Sequence, residues 1–142
     1  MKENKLKLIN LDYVDSTSKQ LKILIKKNKK INNLCISSNI QSNGYGRRNS
    51  KWCSYFGNLH FSILIKPNCY TNIINQISFL TAVSLGEVIK KISNNQSIKY
   101  KWPNDILINK KKVSGIIIET TSNNKKKINW VIIGIGVNIR EY

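Results

Sequence analysis

Apolar residues recur along this chain with two different spacings, and the spacing assigns each segment to a strand or a helix. Alternating or continuous apolar runs predict strands at residues 6–13, 34–40, 58–66, 97–102, 105–109, 112–121 and 127–139. Apolar positions three and four apart predict a helix that starts within 15–20 and ends in the lysines of 26–30. They also predict a second, long and largely buried helix over about 71–92, in which Gly86 indicates close packing against the sheet.

The order of these elements predicts the fold class. It runs β-α-β-loop-β-α-β-β-β-β, with turns at 110–111 and 122–124. Long apolar strands with two helices predict one α+β domain with a mixed β-sheet and helices packed mainly on one face. The longest uninterrupted apolar runs, at 116–118 and 130–133, are too short to cross a bilayer, so we expect no membrane association.

The net charge of +17 raises the question of a nucleic-acid partner. However, isoleucine, lysine and asparagine together make up nearly half of the chain. All three are encoded by A/T-rich codons, so a low-GC genome would enrich them together. The lysines are scattered, and the sequence has no nucleic-acid recognition motif. A basic nucleic-acid-binding module is therefore the weakest hypothesis, and it predicts strongly salt-dependent binding.

Cysteine and histidine give little sign of metal or nucleophile chemistry. Cys35, Cys53 and Cys69 are odd in number and lack metal-ligand spacing, so we expect reduced thiols and no resident metal site. Together with an N-terminus that lacks the apolar core of a signal peptide, they predict a cytoplasmic protein. His60 has no second histidine or nucleophile near it in sequence, so we interpret it as a packing residue.

The most unusual segment is residues 41–52, here called the glycine loop. It has no acidic and no β-branched residue, and its two glycines allow close approach of a ligand. Backbone N–H groups of such a segment can form an anion-binding nest, and Arg47, Arg48 and Lys51 add positive charge there. Trp52 adds a flat apolar face. Two interpretations remain at this point: a flexible loop that closes over a phosphate-bearing ligand, or a solvated basic loop.

Three other motifs carry candidate chemistry. Residues 15–18, Asp-Ser-Thr-Ser, precede the first helix, and Thr17 with Gln20 fits a capping box. Their hydroxyls either cap the helix alone or also hold a polar ligand. Residues 102–105, Trp-Pro-Asn-Asp, have the chemistry of a tight turn. The two glycines of 134–136 would weaken an apolar strand unless something must approach its backbone closely.

These motifs occur in a recognisable order. Asp-Ser-Thr-Ser is followed by Gln-x-x-Gly-x-Gly-Arg-Arg-x-x-x-Trp, by Lys-Trp-Pro-Asn-Asp-Ile with Lys112 and Gly115 behind it, and by Gly-Ile-Gly-Val-Asn. In this order they resemble the catalytic domain of biotin protein ligase, also called biotin–[acetyl-CoA-carboxylase] ligase. The resemblance covers residues 8–139, and the Lys-Trp-Pro-Asn-Asp element is specific to that family.

The resemblance implies a two-step reaction. The biotin carboxylate attacks the α-phosphate of ATP to give biotinyl-5′-AMP, and a lysine of a biotin carboxyl carrier protein then displaces AMP. Mg²⁺ carried with ATP would neutralise the pyrophosphate leaving group. Because the substrates supply both nucleophiles, the enzyme needs no Ser-His-Asp or Cys nucleophile and works by positioning and electrostatics.

The resemblance also implies roles for individual residues. Lys112 and Arg47 would be the catalytic residues. The implied biotin-binding residues are Ser16, Thr17, Ser18, Gln41, Tyr45, Gly46, Arg47, Lys112 and Gly115. The implied ATP- or adenylate-binding residues are Gly44, Arg48, Trp52, Asn104 and Asp105.

The chain departs from the family pattern in the glycine loop. Tyr45 stands where the family usually has Arg or Lys, and Asn49 and Ser50 stand where it usually has Gly and Arg. The loop thus lacks up to two cations. The chain also stops at Tyr142, so we expect a catalytic domain over residues 1–142 that is shortened at its C-terminus. We recognise no helix-turn-helix domain in this sequence, so we expect no DNA binding, and the resemblance implies a homodimer.

Two alternatives remain open within this superfamily. One is a non-catalytic remnant that keeps the biotin pocket but cannot form the adenylate. The other is a relative of the lipoate–protein ligases or octanoyltransferases. The Trp-Pro-Asn-Asp motif and the Gly-Arg-Arg sequence disfavour the second alternative.

Overall fold

A computed structural model describes residues 5–94 and 97–140. All nine elements predicted from the sequence are present, in the predicted order. In chain order they are β1 Lys7–Val14, α1 Thr17–Lys27, β2 Leu34–Gln41, β3 Leu59–Ile65, α2 Ile74–Ile92, β4 Ile98–Lys101, β5 Asp105–Ile108, β6 Lys111–Ser122 and β7 Ile128–Val137. Single turns of 3₁₀ helix lie at Arg47–Asn49, inside the glycine loop, and at Thr71–Ile73.

The strands form one seven-stranded sheet in the order β1-β2-β3-β7-β6-β5-β4. β1 and β2 are parallel, and the other neighbouring strands are antiparallel, so the predicted mixed sheet is confirmed. β7 lies in the middle, between β3 and β6. Its residues from Val131 to Val137 are all buried, which explains why this strand is apolar at nearly every position.

The two helices cover opposite faces of the sheet. Leu21 and Ile25 of α1 pack in a cluster with Ile132 of β7. Ala82 and Ile89 of α2 pack in a second cluster that contains the remaining buried isoleucines and valines of β7. Since successive strand residues point to opposite faces, the prediction that the helices pack mainly on one face is wrong. β7 is apolar on both faces, and each face takes one helix as its cover.

Helix α2 is much less buried than the sequence predicts. Its buried residues are Ala82, Gly86 and Ile89, which form a narrow stripe against the sheet. The close packing predicted at Gly86 is confirmed, because an added Cβ there would lie 2.2 Å from the Tyr100 hydroxyl. Among the large apolar side chains of this helix, Phe79, Leu80, Val88 and Ile92 are more than half exposed.

The segment Thr71–Ile92, which includes α2, is also long and apolar enough to cross a membrane, with a hydropathy of 1.2. Core helices of soluble proteins can have the same length and composition. The stripe at Ala82, Gly86 and Ile89 places this one against the sheet. The expectation of no membrane association is based on the short uninterrupted apolar runs of the chain, and it stays a prediction.

The start of α1 differs from the prediction in a way that bears on the site. Ser16, not Thr17, is the N-cap residue, and its Oγ accepts a hydrogen bond from the Lys19 backbone N–H at 3.4 Å. Thr17 is the first helical residue, and its hydroxyl donates to Gln41 instead of capping the helix. The predicted capping box between Thr17 and Gln20 is therefore wrong, because that hydroxyl bonds across to β2.

Candidate functional site

A cavity of about 360 Å³ opens on the face of the sheet that carries α1. This volume lies within the range of small-molecule sites. Its wall is formed by the start of α1, the glycine loop and the neighbouring ends of β3, β5, β6 and β7. Every site residue named from the sequence lines it, except Gly44. The residues brought together are Ser16, Thr17, Ser18, Gln41, Tyr45, Gly46, Arg47, Arg48, Trp52, Asn104, Asp105, Lys112 and Gly115.

One end of the cavity is polar and uncharged. The Thr17 backbone N–H and hydroxyl both donate to Gln41 Oε1, at 2.9 and 3.1 Å. The Ser62 hydroxyl lies 2.7 Å from Thr17 Oγ1 and 2.8 Å from Ser18 Oγ. Because the Thr17 hydroxyl donates to Gln41, its oxygen accepts a hydrogen bond from the Ser62 hydroxyl. The Ser62 oxygen in turn accepts from the Ser18 hydroxyl. These hydroxyls can donate or accept, so this end suits a neutral ligand group with both N–H and C=O functions.

The floor of the cavity is made of strand glycines and one indole ring. A Cβ added at Gly136 would lie 2.4 Å from the Trp52 ring, and one added at Gly115 would lie 2.9 Å from it. Gly134 is equally confined, with Ser18 Oγ 2.9 Å from the same added atom. The close approach to the backbone predicted for the glycines of β7 is thus made by Trp52 and by the start of α1.

His60 lies beneath this indole. The Trp52 Nε1–H donates to His60 Nδ1 at 3.4 Å, so His60 Nε2 carries the ring proton and faces the Tyr55 carbonyl oxygen at 3.5 Å. Burial lowers the pKa of His60, which favours the neutral ring that this bond requires. This arrangement supports the interpretation of His60 as a packing residue, and it gives the ring a specific partner.

The other end of the cavity is cationic. Lys112 Nζ lies 2.8 Å from Asp105 Oδ1 and 5.4 Å from the centre of the Trp52 ring. Arg47 Nη1 donates to Asn104 Oδ1 at 3.2 Å, while Asn104 Nδ2 donates to the Ile116 carbonyl at 2.8 Å. Arg48 and Lys51 add two more cations to a lining in which Asp105 is the acidic residue. The excess of positive charge suits an anionic ligand group.

Possible metal ligands are sparse. Among residues 5–94 and 97–140, no group of three or more His, Cys, Asp and Glu side chains is placed to hold a metal ion. Asp105 is the carboxylate that faces the cationic end, and it is already paired with Lys112. A divalent cation would therefore need ligands from a bound anion as well as from this carboxylate.

The glycine loop folds back on itself over the cavity. Gly46 N–H donates to the Ser50 carbonyl at 2.7 Å, and Trp52 N–H donates to the Gly44 carbonyl at 3.0 Å. Gly44 lies behind the lining, because a Cβ there would be 2.8 Å from the Trp52 carbonyl oxygen. Because Gly44 has no side chain, the loop can close at this point.

Sequence reasoning missed several residues of this site. Ser62 joins the two hydroxyls at the start of α1, and His60 supports Trp52. The sequence did carry a signal for both, because His60 and Ser62 are two residues apart in an apolar strand and so lie on the same face. Buried polar side chains on such a face need hydrogen-bond partners. Glu119 and Lys22 were also missed as neighbours of Tyr45, since they come from strand and helix positions far apart in sequence.

The geometry defines a class of protein. A mixed sheet carries a cavity with a neutral hydrogen-bonding end, a cationic end and a basic glycine loop. This is an α+β domain whose cavity suits a small molecule with an uncharged polar head and an anionic tail.

Comparison with known proteins gives the family. The sequence model of the biotin/lipoate A/B protein ligase family matches residues 11–138, and the chain belongs to this family. Its named relatives are biotin protein ligases, and the matched part is their catalytic-domain region.

The individual relatives are similar over nearly all of this chain and part of their own. The bifunctional ligase/repressor BirA of Bacillus spizizenii is 34% identical over 135 residues, which are 94% of this chain and 41% of that protein. The biotin–[acetyl-CoA-carboxylase] ligase of Paracoccus denitrificans is 33% identical over 97 residues, covering 68% of this chain and 40% of that one. The chain thus spans about two-fifths of the length of these relatives.

The fold comparison agrees. The structure of the Aquifex aeolicus biotin protein ligase in complex with biotin and ATP superimposes with a TM-score of 0.75 and 32% identity. The match covers 95% of this chain and 53% of that structure. The seven-stranded sheet with two helices is therefore the biotin protein ligase catalytic-domain fold.

Proposed function

We propose that this chain activates biotin with ATP as biotinyl-5′-AMP and transfers the biotinyl group to a lysine of a biotin carboxyl carrier protein. The observation that carries the proposal is the cavity with one neutral and one cationic end, lined by residues of all the motifs. Biotin has the matching form, with an uncharged ureido ring at one end and a carboxylate at the other. The named relatives, which are biotin ligases, support the same substrate.

The two ends of the cavity suggest how biotin would be oriented in it. The ureido group would exchange hydrogen bonds with Ser16, Thr17, Ser18 and Gln41, displacing part of their present network. The valeryl chain would lie along the glycine floor at Gly115. The carboxylate would then reach the cationic end, beneath the backbone of Tyr45 and Gly46 in the glycine loop.

In the first step, a biotin carboxylate oxygen attacks the α-phosphorus of ATP, and the bond from this phosphorus to the pyrophosphate oxygen breaks. Lys112 would move from Asp105 to the carboxylate and the α-phosphate, and Arg47 would hold the phosphate from the loop side. Arg48, Trp52, Asn104 and Asp105 would hold the nucleotide. Mg²⁺ entering with ATP would neutralise the pyrophosphate, with Asp105 as a candidate protein ligand.

In the second step, the acceptor lysine amine attacks the biotinyl carbonyl carbon, and the bond to the phosphate oxygen breaks to release AMP. The chain supplies position and charge in both steps, so its task is to hold two anionic groups together. We place this reaction in the cytoplasm, where the thiols of Cys35, Cys53 and Cys69 would stay reduced. Residues 1–142 would act as the catalytic domain. A homodimer and the absence of DNA binding stay predictions.

The testing experiment is biotin-dependent exchange of labelled pyrophosphate into ATP by the purified chain without an acceptor. Lys112→Ala should lower the exchange rate at least about 100-fold, the loss typical when one charge-stabilising donor is removed. The matched control is Lys125→Ala, which removes an exposed lysine from the turn before β7 and should keep the wild-type rate. Full exchange by Lys112→Ala would remove this lysine from the mechanism.

The same assay separates the alternatives. Biotin binding by calorimetry without exchange would favour a non-catalytic remnant. Exchange that depends on lipoate or octanoate and not on biotin would favour a relative of the lipoate ligases. Exchange with biotin, followed by labelling of a carrier-protein lysine, is the result expected of the proposed ligase.

A further inference from the structure

Tyr45, in the glycine loop, contacts two charged side chains from two other elements. Its hydroxyl donates to Glu119 Oε2 of β6 at 2.9 Å. Lys22 Nζ of α1 donates to the Tyr45 oxygen at 3.1 Å and lies 2.6 Å from Glu119 Oε1. The three groups form a closed triangle, so each one is held by the other two.

The surroundings strengthen these contacts. The ammonium groups of Lys22 and Lys19 lie 5.5 and 5.9 Å from the centre of the Tyr45 ring, within the range of cation–π attraction. The Glu119 side chain is 19% exposed and that of Lys22 is 35% exposed, so their pairing is less screened than a pair at the open surface. Burial raises the pKa of Tyr45, so the phenol keeps the proton that it donates.

The triangle lies where the loop can close the cavity. Tyr45 lines the cavity, and its backbone pairs with Lys51 on the returning side of the glycine loop. Lys22 belongs to α1, which covers the face that carries the cavity, and Glu119 belongs to β6 of the sheet. Opening the loop would therefore require the Tyr45 hydroxyl to leave both of its partners.

We infer that Tyr45, Glu119 and Lys22 form a latch that holds the glycine loop closed over the cavity. Tyr45 supplies the moving part, while Glu119 and Lys22 are positioning residues. Tyr45, which forms the latch, stands at the loop position where the family usually has Arg or Lys. The inference rests on the proposed function for the identity of the ligand and on this structure alone for the closure.

The first test needs no ligand. Trypsin must bind an extended segment, so cleavage after the exposed Arg47, Arg48 and Lys51 should become faster when the loop opens. Mass spectrometry can follow these sites separately from other lysines. Tyr45→Phe and Glu119→Gln should each raise the cleavage rate at these sites about fivefold or more. The matched control is Tyr13→Phe, on an exposed tyrosine of β1, and it should leave that rate unchanged. Wild-type cleavage of folded Tyr45→Phe would overturn the latch.

A double-mutant cycle tests whether the residues act together. If they form one latch, the Tyr45→Phe/Glu119→Gln chain should be cleaved little faster than either single variant. Multiplied effects would mean that the two residues act separately, and would overturn the inference. Circular dichroism on each variant confirms that the fold is kept.

The second readout is retention of ligand. Biotin should dissociate several-fold faster from Tyr45→Phe than from the wild type, while Tyr13→Phe should match the wild type. If no variant binds biotin but the cleavage pattern holds, the proposed function fails and the latch stands. If biotin binds but neither cleavage nor dissociation changes, the latch fails and the function stands.

Discussion

His60 shows how one buried side chain can link the site to pH. Its Nδ1 accepts the Trp52 indole hydrogen, and Trp52 in turn covers the backbone of Gly115 and Gly136. A protonated ring would have no lone pair for that bond, and burial already lowers the pKa of this histidine. The indole therefore depends on a neutral His60.

This dependence predicts the direction of a stability change. His60 has a pKa of about 6.5 in the unfolded chain and a lower one in the folded chain, so the unfolded state binds more protons between these values. The free energy of unfolding should fall as the pH drops below about 6.5. Urea unfolding from pH 5 to 8 should show this fall in the wild type and a smaller one in His60→Gln, which can accept the bond without titrating. Equal slopes would contradict the prediction.

The site residues could be named from sequence where a motif carried them. All but Gly44 line one cavity, yet some of the partners of those residues came from elsewhere. Ser62 and Glu119 meet the start of α1 and the glycine loop only through the sheet register. A sequence without known strand pairing gives no means of placing them there.

At the level of elements, periodicity predicted every strand and helix but not the faces that they cover. Ile132 faces α1, whereas Val131 and Ile133 face α2, and a continuously apolar strand does not reveal that both sides are covered. The low burial of α2 has a similar cause, because its apolar positions exceed the narrow stripe that touches the sheet. Register and packing decide these points.

The turn between β5 and β6 offers a prediction at the same scale. It consists of Asn109 and Lys110, one residue earlier than predicted, and their φ angles are +50° and +65°. Two positive φ values are typical of a type I′ hairpin turn, for which Asn-Gly is the preferred pair. A lysine in this conformation costs about 1–2 kcal/mol, and part of that is regained when glycine replaces it.

Lys110→Gly should therefore raise the free energy of unfolding by about 0.5–1 kcal/mol. Lys110→Ala removes the same charge but keeps a Cβ, so it should give no such gain. Urea unfolding of both variants measures the difference. A glycine variant no more stable than the alanine variant would show that the turn is not held in the left-handed conformation. Because Lys110 lies outside the cavity lining, we expect pyrophosphate exchange to stay at the wild-type rate.

For the whole molecule, the question is what the net charge of +17 does. Among the cations grouped at the cavity, Arg47 pairs with Asn104 and Lys112 pairs with Asp105. Arg48 and Lys51 line the same cavity. Many other lysines lie on exposed turns and helix ends, such as Lys26, and form a diffuse positive surface. A diffuse surface attracts polyanions without selecting among them.

Binding to DNA should accordingly be weak, independent of sequence and steeply dependent on salt. A fluorescent random duplex should bind at about 50 mM salt and lose at least about tenfold in affinity by 200 mM, because each neutralised phosphate releases counterions. Lys112→Ala should change this binding by no more than Lys125→Ala does, since one cation among many is removed in either case. Tight binding that persists at 200 mM and prefers one sequence would instead identify DNA as a specific partner and overturn the expectation that the chain does not act on it.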